Sequence, residues 1–307
     1  MHPFRFAVQQ AFAPSGELWA QLARRAESLG YDVLVMPDHL GQQLSPFAAL
    51  AAAAAATTRL RVGAFVFAND YRHPLILARE AATLDFLSGG RFEMGLGAGW
   101  MTGDYRKLGM TYDPAPRRVD RLEEAIPLIK RLLAGETVTH HGTHYQLDNA
   151  STGVQPVQKP RPPLAIGGGG PRMLKLAVRE AEIVGMVPGF DEHGRPLVRQ
   201  ATETATAQKI AHIREAAGDR FEQLEINLWL ADAGLVGSRN SVLGSMVTAA
   251  KWAPTVVYGS PYFLYGTLSS TRERLLRRRD KLGISYYTVP SRAMESVAPL
   301  VEALAGR

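Results

Sequence analysis

Eight short runs rich in β-branched and aromatic residues alternate along the chain with longer segments of helical periodicity, and no other feature constrains the fold as tightly. Such alternation is the pattern of a parallel sheet whose strands are joined by crossover helices. The predicted strands are 4–9, 33–37, 61–67, 91–96, 164–167, 183–187, 224–230 and 284–289. The first helix, 16–29, repeats Leu18, Leu22, Ala26 and Leu29 at three- and four-residue steps and stops at Gly30, a residue suited to the left-handed C-terminal turn. Segments 46–56 and 74–86 each open with a proline, whose missing N–H costs nothing in a first helical turn.

Eight β/α units in 307 residues point to an α/β fold of the (β/α)8 TIM-barrel type, with 1–307 read as a single domain. The open doubly wound alternative is disfavoured because the first strand–helix turn, 10–16, lacks the Gly-x-Gly-x-x-Gly of a dinucleotide-binding unit. Two stretches break the rhythm, 107–116 and 135–163. The second, placed before strand five, reads as an inserted lid: a hairpin of 137–141 and 144–147, then a proline-rich run from Pro156 to Pro163.

The chain contains no cysteine, which excludes disulfides, thiolate metal centres, iron–sulfur clusters and cysteine nucleophiles. No apolar stretch reaches transmembrane length, and the first residues lack the pattern of a signal peptide, so a cytoplasmic protein that does not engage membranes is expected. The net charge of +6 is spread along the chain, which favours an anionic small ligand over nucleic acid.

Active sites of such barrels lie at the C-terminal ends of the strands. No lysine is predicted there, which disfavours a Schiff-base aldolase: Lys209, for instance, falls within a helix. The first strand carries no histidine, which disfavours a metal-dependent hydrolase, and His140, His141 and His144 fall on the lid hairpin. Gly167, Gly168, Gly169 and Gly170 follow a strand and precede a helix. Backbone amides at such a turn approach a phosphate closely, and a tight turn is the alternative reading. On this reading Gly168→Val abolishes anion anchoring and leaves the barrel folded. Gly95 and Gly97 leave bare backbone on strand four, either as room for a planar ring or for packing at barrel closure. Asp38 and His39 end strand two, where a carboxylate beside an imidazole can move a proton; a helix cap is the alternative for Asp38. Glu93, lower on strand four, reads as a structural partner of Arg5 or Arg61.

Val35–His39, the stretch from Arg61 through Pro74, Ser88–Trp100 and Ile166–Pro171 occur in order and at barrel spacing. With these motifs the chain resembles the luciferase-like superfamily of flavin and deazaflavin enzymes, in particular its F420-dependent oxidoreductase branch. The resemblance implies a ring held over the strand ends and a phosphate on the Gly167–Gly170 backbone. It also implies a bulge on strand three around a non-proline cis peptide at Phe65-Val66 that supports the ring, with Asp38 and His39 in ring contact and proton handling. After Trp100, where relatives often carry asparagine and then glutamate, this chain reads Met101-Thr102-Gly103-Asp104. The expectation is an F420-dependent oxidoreductase acting on a small-molecule substrate, with a separate enzyme reducing the cofactor and a homodimer as a frequent assembly of the family. An FMN-dependent monooxygenase and a non-catalytic cofactor-binding protein are the alternatives. A phosphosugar isomerase is disfavoured, since Glu182 and Glu225 lie near strand starts.

Overall fold

Both faces of the central strands are covered, and their sequences show why: Val33–Met36, Phe92–Gly97, Ile183–Met186 and Ile284–Pro290 are buried at every position. Parallel strands with helices on their outer face read as continuous apolar runs for this reason. The computed structural model describes residues 1–191, 196–235, 257 and 259–307.

The strands are β1 (Arg5–Gln9), β2 (Val33–Met36), β3 (Arg61–Ala64), β4 (Phe67–Ala68), β5 (Phe92–Gly97), β6 (Val138–His141), β7 (Gln146–Ala150), β8 (Leu164–Gly168), β9 (Ile183–Met186), β10 (Glu225–Trp229), β11 (Asp232–Leu235), β12 (Phe263–Gly266) and β13 (Ile284–Pro290). The helices used below are α1 (Gly16–Ser28), α2 (Pro46–Ala55), α3 (Pro74–Leu87), α4 (Thr102–Leu108), α5 (Ala115–Leu133), α6 (Pro171–Glu180), α7 (Glu203–Ala217), α8 (Leu268–Leu282) and α9 (Met294–Leu304). The main sheet runs β3-β2-β1-β13-β10-β9-β8-β5-β4, and β3 also pairs with β5, which gives the closed parallel order of a (β/α)8 barrel. All eight predicted strands are present, the third of them interrupted between β3 and β4. No helix among the described residues is long and apolar enough to cross a membrane.

Contacts divide the chain into two compact units. One comprises Met1–Gln10, Ala26–Asp32 and Gly168–Arg307. Within it β1 pairs with β13 from Arg5↔Tyr286 to Gln9↔Pro290, and β10 pairs with both β13 and β9. Phe4, Phe6 and Tyr287 stack at centroid distances of 6.1–6.4 Å. Gly30 ends α1 at φ +83°, the left-handed turn the sequence called for. The parallel pair β11–β12 lay outside the sequence reading.

The second unit comprises Ala11–Arg25 and Val33–Gly167. β2 pairs with β3, β3 with β5, β4 with β5, and β5 with β8. Arg61 Nε donates to Glu93 Oε1 at 2.6 Å, one of the two pairings expected for Glu93, and Arg5 pairs with Glu225 at 2.7 Å. The predicted hairpin forms as β6–β7, antiparallel. Glu124 on α5 accepts from His140 Nε2 at 3.1 Å and from the backbone N–H groups of His144 and Tyr145, so His140 and His144 anchor the hairpin to α5. Burial opposes the Glu124 charge, but the N–H of Tyr145, the His140 ring and the N–H of His144 outweigh it and hold the carboxyl below its ordinary range.

The interruption of strand three is where glycine matters most. Phe65-Val66 is the non-proline cis peptide, and Val66 projects onto β5 and β8. A β-carbon on Gly97 would lie 2.6 Å from Val66 Cγ2, and one on Gly167 would lie 2.7 Å from Val66 Cγ1. One on Gly95 would overlap the Ala64 carbonyl oxygen. Closure packing, one of the two readings open in the sequence, therefore accounts for Gly95 and Gly97 by itself. Gly97→Ala should overpack this contact and cost about 1–3 kcal/mol in chemical denaturation. In a Val66→Ala background the same substitution should cost markedly less, as expected of two groups in direct contact.

Candidate active site

The polar groups at the top of the second unit form three small networks, each centred on a carboxylate. Asp38, 5% exposed, sits just past β2. Its Oδ2 accepts from Arg72 Nη1 at 2.6 Å and from the backbone N–H of Ala68 at 3.0 Å, and its Oδ1 accepts from Arg72 Nη2 at 3.1 Å. A forked guanidinium contact of this kind fixes orientation as well as charge. Asp38 thus clamps the start of β4 to the end of β2, and it caps no helix.

Asp104, 1% exposed, comes from α4, 65 residues beyond His39. Its Oδ2 lies 2.8 Å from His39 Nδ1 and accepts from the Tyr71 hydroxyl at 3.3 Å, while its Oδ1 accepts from the Leu40 backbone N–H at 3.1 Å. A carboxylate only accepts, so Nδ1 carries the hydrogen of this contact and Nε2 is left outside it. The ring stands edge-on to Trp100 at 5.5 Å, and the His39 side chain is about one quarter exposed. Burial first, and the Asp104 charge second, push the Tyr71 phenol above its ordinary range, so Tyr71 stays a neutral donor.

The third network holds this arrangement from behind. Asp70 accepts from Arg121 Nε at 2.9 Å, Arg121 Nη2 at 2.6 Å and the Tyr105 hydroxyl at 2.8 Å. Tyr105 is fully buried, and its hydroxyl occupies the space a β-carbon on Gly99 would need. Gly99 also has φ +76°. Tyr105 and Phe263 are core residues, whereas Trp100 stays partly exposed beside His39.

The glycine turn after β8 belongs to the other unit from Gly168 onward. A β-carbon on Gly168 would lie 2.7 Å from Met173 Cβ, so Gly168→Val would disturb the turn itself, contrary to the expectation of a folded, purely binding-deficient variant. A β-carbon on Gly169 would lie 2.5 Å from the Val187 carbonyl oxygen, while one on Gly170 would meet nothing within 4 Å, and Gly170 has an ordinary φ of −85°. Gly170 is the N-cap of α6 and makes no side-chain cap, which leaves the first turn of that helix open to an anion. On β10, Trp229 Nε1 donates to Gln9 Oε1 at 2.7 Å and Asn227 Nδ2 to Thr288 Oγ1 at 3.0 Å.

Residues 4–231 match the family described as luciferase-like monooxygenase. The chain belongs to that family. Among its relatives, an F420-dependent glucose-6-phosphate dehydrogenase of Microbacterium testaceum is 36% identical over 191 residues, 59% of this chain and 55% of that protein. The 4-hydroxyprotoasukamycin monooxygenase of Streptomyces nodosus subsp. asukaensis is 32% identical over 235 residues, 67% of this chain and 62% of that protein. The matches thus span little more than half the length of these relatives. The coenzyme F420 dependent tetrahydromethanopterin reductase of Methanopyrus kandleri shares the fold, with a TM-score of 0.80 at 19% identity over 98% of this chain and 99% of that one.

In this luciferase-like chain Asp104 is the residue the sequence reading passed over, because its partner is 65 positions away. The local clue was an acidic residue in the first turn of a short helix just after the glycine-rich end of β5. The Asp38–Arg72 clamp yields a stability test. Arg72→Met leaves a buried carboxylate without its guanidinium and should cost about 3 kcal/mol in chemical denaturation. A loss below 1 kcal/mol would show that the pair is not needed to hold β2 and β4 together.

Proposed function

We propose that this chain is an F420-dependent oxidoreductase that moves a hydride between the deazaflavin and a small organic substrate. The observation that carries the reading is the His39–Asp104 pair, with Nδ1 committed to the carboxylate at 2.8 Å and Nε2 outside that contact. Identity of 36% with an F420-dependent dehydrogenase supports it. A substrate that gains or loses a hydride at carbon also exchanges a proton at the attached heteroatom, and an oriented imidazole meets that need.

The residues present fit such a cofactor. The open N-terminus of α6 at Gly170 suits its phosphate, and the side-chain-free stretch Gly168–Gly170 lets backbone come close to it. F420, when bound, supplies a ring carbon that takes up or releases hydride. His39 accepts or returns the substrate proton through Nε2. Asp104 keeps the opposite nitrogen protonated and the ring oriented, with Tyr71 and the Leu40 N–H holding Asp104 in turn. Asp38 serves as a positioning group, since Arg72 and Ala68 engage both of its oxygens. Val66 fills the space beside Gly95, Gly97 and Gly167, and with Phe65 before it would support the ring. In the reducing direction a separate enzyme must restore the reduced cofactor.

The relationship to a monooxygenase, 32% identical, favours a second reading in which reduced FMN and oxygen are used. Equilibrium binding of purified protein to F420 and to FMN separates the two; micromolar FMN affinity with none for F420 would overturn the F420 reading. His39→Ala should leave F420 affinity nearly unchanged and lower turnover about 10²–10⁴-fold. Asp104→Asn, which can donate to Nδ1 and so drive the hydrogen to Nε2, should lower turnover by a comparable factor with affinity again retained. Undiminished turnover in both variants would remove the pair from the reaction.

A further inference from the structure

Lys209 is out of place for a lysine. It lies on the buried stripe of α7 formed with Thr206, Ile210 and Ile213, and it is 9% exposed. Its Nζ donates to the Val187 carbonyl oxygen at 2.9 Å and stands 5.9 Å from the centre of the Tyr262 ring. No carboxylate among the described residues forms an ion pair with it, and neither contact uses more than one of the three hydrogens of an ammonium. A buried charge without a counter-charge is costly to keep, so its location calls for an anion.

That location is the glycine turn. A β-carbon on Gly169 would lie 3.2 Å from Lys209 Nζ and 2.5 Å from the Val187 oxygen that receives its hydrogen bond. The next residue, Gly170, opens on free space and begins α6 without a side-chain cap. Ammonium, bare backbone and uncapped helix start thus converge within one unit of the chain.

We infer that Lys209 supplies the counter-charge for the phosphate of the cofactor at the Gly168–Gly170 turn, an inference that rests on the cofactor reading above. Backbone amides alone would hold a phosphate through dipoles; the ammonium, itself buried, adds a full charge.

The group's own chemistry agrees. Burial pulls the Lys209 ammonium down to about 8, because nothing nearby compensates the lost hydration. From just past β9 it faces the Val187 carbonyl, from the turn Gly169, and from the segment before β12 the Tyr262 ring. The Tyr262 phenol is pushed above its ordinary range by burial and stays neutral. A bound anion favours the protonated amine, so binding takes up a proton once the pH exceeds about 8, and affinity falls as the pH rises further.

The test is a cycle of equilibrium binding by tryptophan quenching. It uses wild type and Lys209→Met against F420 and against its ring and ribityl fragment, which lacks the phosphate, from pH 7 to 9.5. Lys209→Met should melt at or above the wild-type temperature, weaken F420 by about 10–100-fold at pH 7 and leave the fragment unchanged. The wild-type preference for F420 over the fragment should shrink above pH 8; that of the variant should be flat. Equal loss for both ligands would assign Lys209 a purely structural part, and unchanged F420 affinity would likewise overturn the inference. Should Lys209→Met fail to fold, the wild-type profile decides: a preference for the phosphate-bearing ligand that does not change from pH 7 to 9.5 refutes it. A wild-type protein that takes FMN and not F420 defeats the cofactor reading alone, and the same cycle is then run with FMN and riboflavin. A protein that binds none of these ligands overturns both.

Discussion

Burial of both faces of the central strands decides where chemistry can occur in this protein. A strand flanked by barrel interior and by helices has no solvent face, so a polar side chain within it is costly unless it finds a partner inside. Arg61 with Glu93, Arg5 with Glu225 and Asn227 with Thr288 are such internal settlements. Every group free to meet a substrate is thereby displaced to the strand ends and the segments that follow them. The same constraint explains the glycines at the break in strand three, since a side chain that turns inward there takes the volume its neighbours would otherwise fill.

At the strand ends the carboxylates are saturated with donors. Asp38, Asp70, Asp104 and Glu124 each accept three or more hydrogen bonds, mostly from arginine, tyrosine hydroxyl or backbone N–H. A carboxylate so engaged is a good strut. The nitrogen bases differ, because His39 is held through one ring nitrogen and Lys209 through one hydrogen. The division of labour is physical: negative groups fix the frame, and the positive or neutral nitrogens keep capacity in reserve.

The strands were legible because their signal is local, a short apolar run bounded by turn residues. The Arg61–Glu93 pairing and the hairpin were legible for similar reasons, through sign of charge and through spacing. Four features were not. The partnership of His39 and Asp104 joins segments that only folding brings together. Gly95 and Gly97 allowed two readings, and packing against Val66 and Ala64 became visible only in three dimensions. Lys209 was read as an ordinary helical lysine, although its three- and four-residue steps to Thr206 and Ile213 placed it on the apolar stripe of α7. The pair β11–β12 escaped because a four-residue strand containing aspartate and glycine carries almost no β signal.

α4 is only seven residues long, yet it carries Asp104 to His39 and, one position later, Tyr105 into the space left by Gly99 and onto Asp70. Neighbouring helix positions point about 100° apart, so these two attachments grip the segment from different sides. An insertion or deletion between Gly99 and Asp104 would rotate one of them out of reach whatever the new residues were. The loop after β5 is in this way frozen in length, though not in composition, and diversification of substrate range within this scaffold has to proceed by exchange of side chains there, or by changes of length in segments that do not touch the histidine.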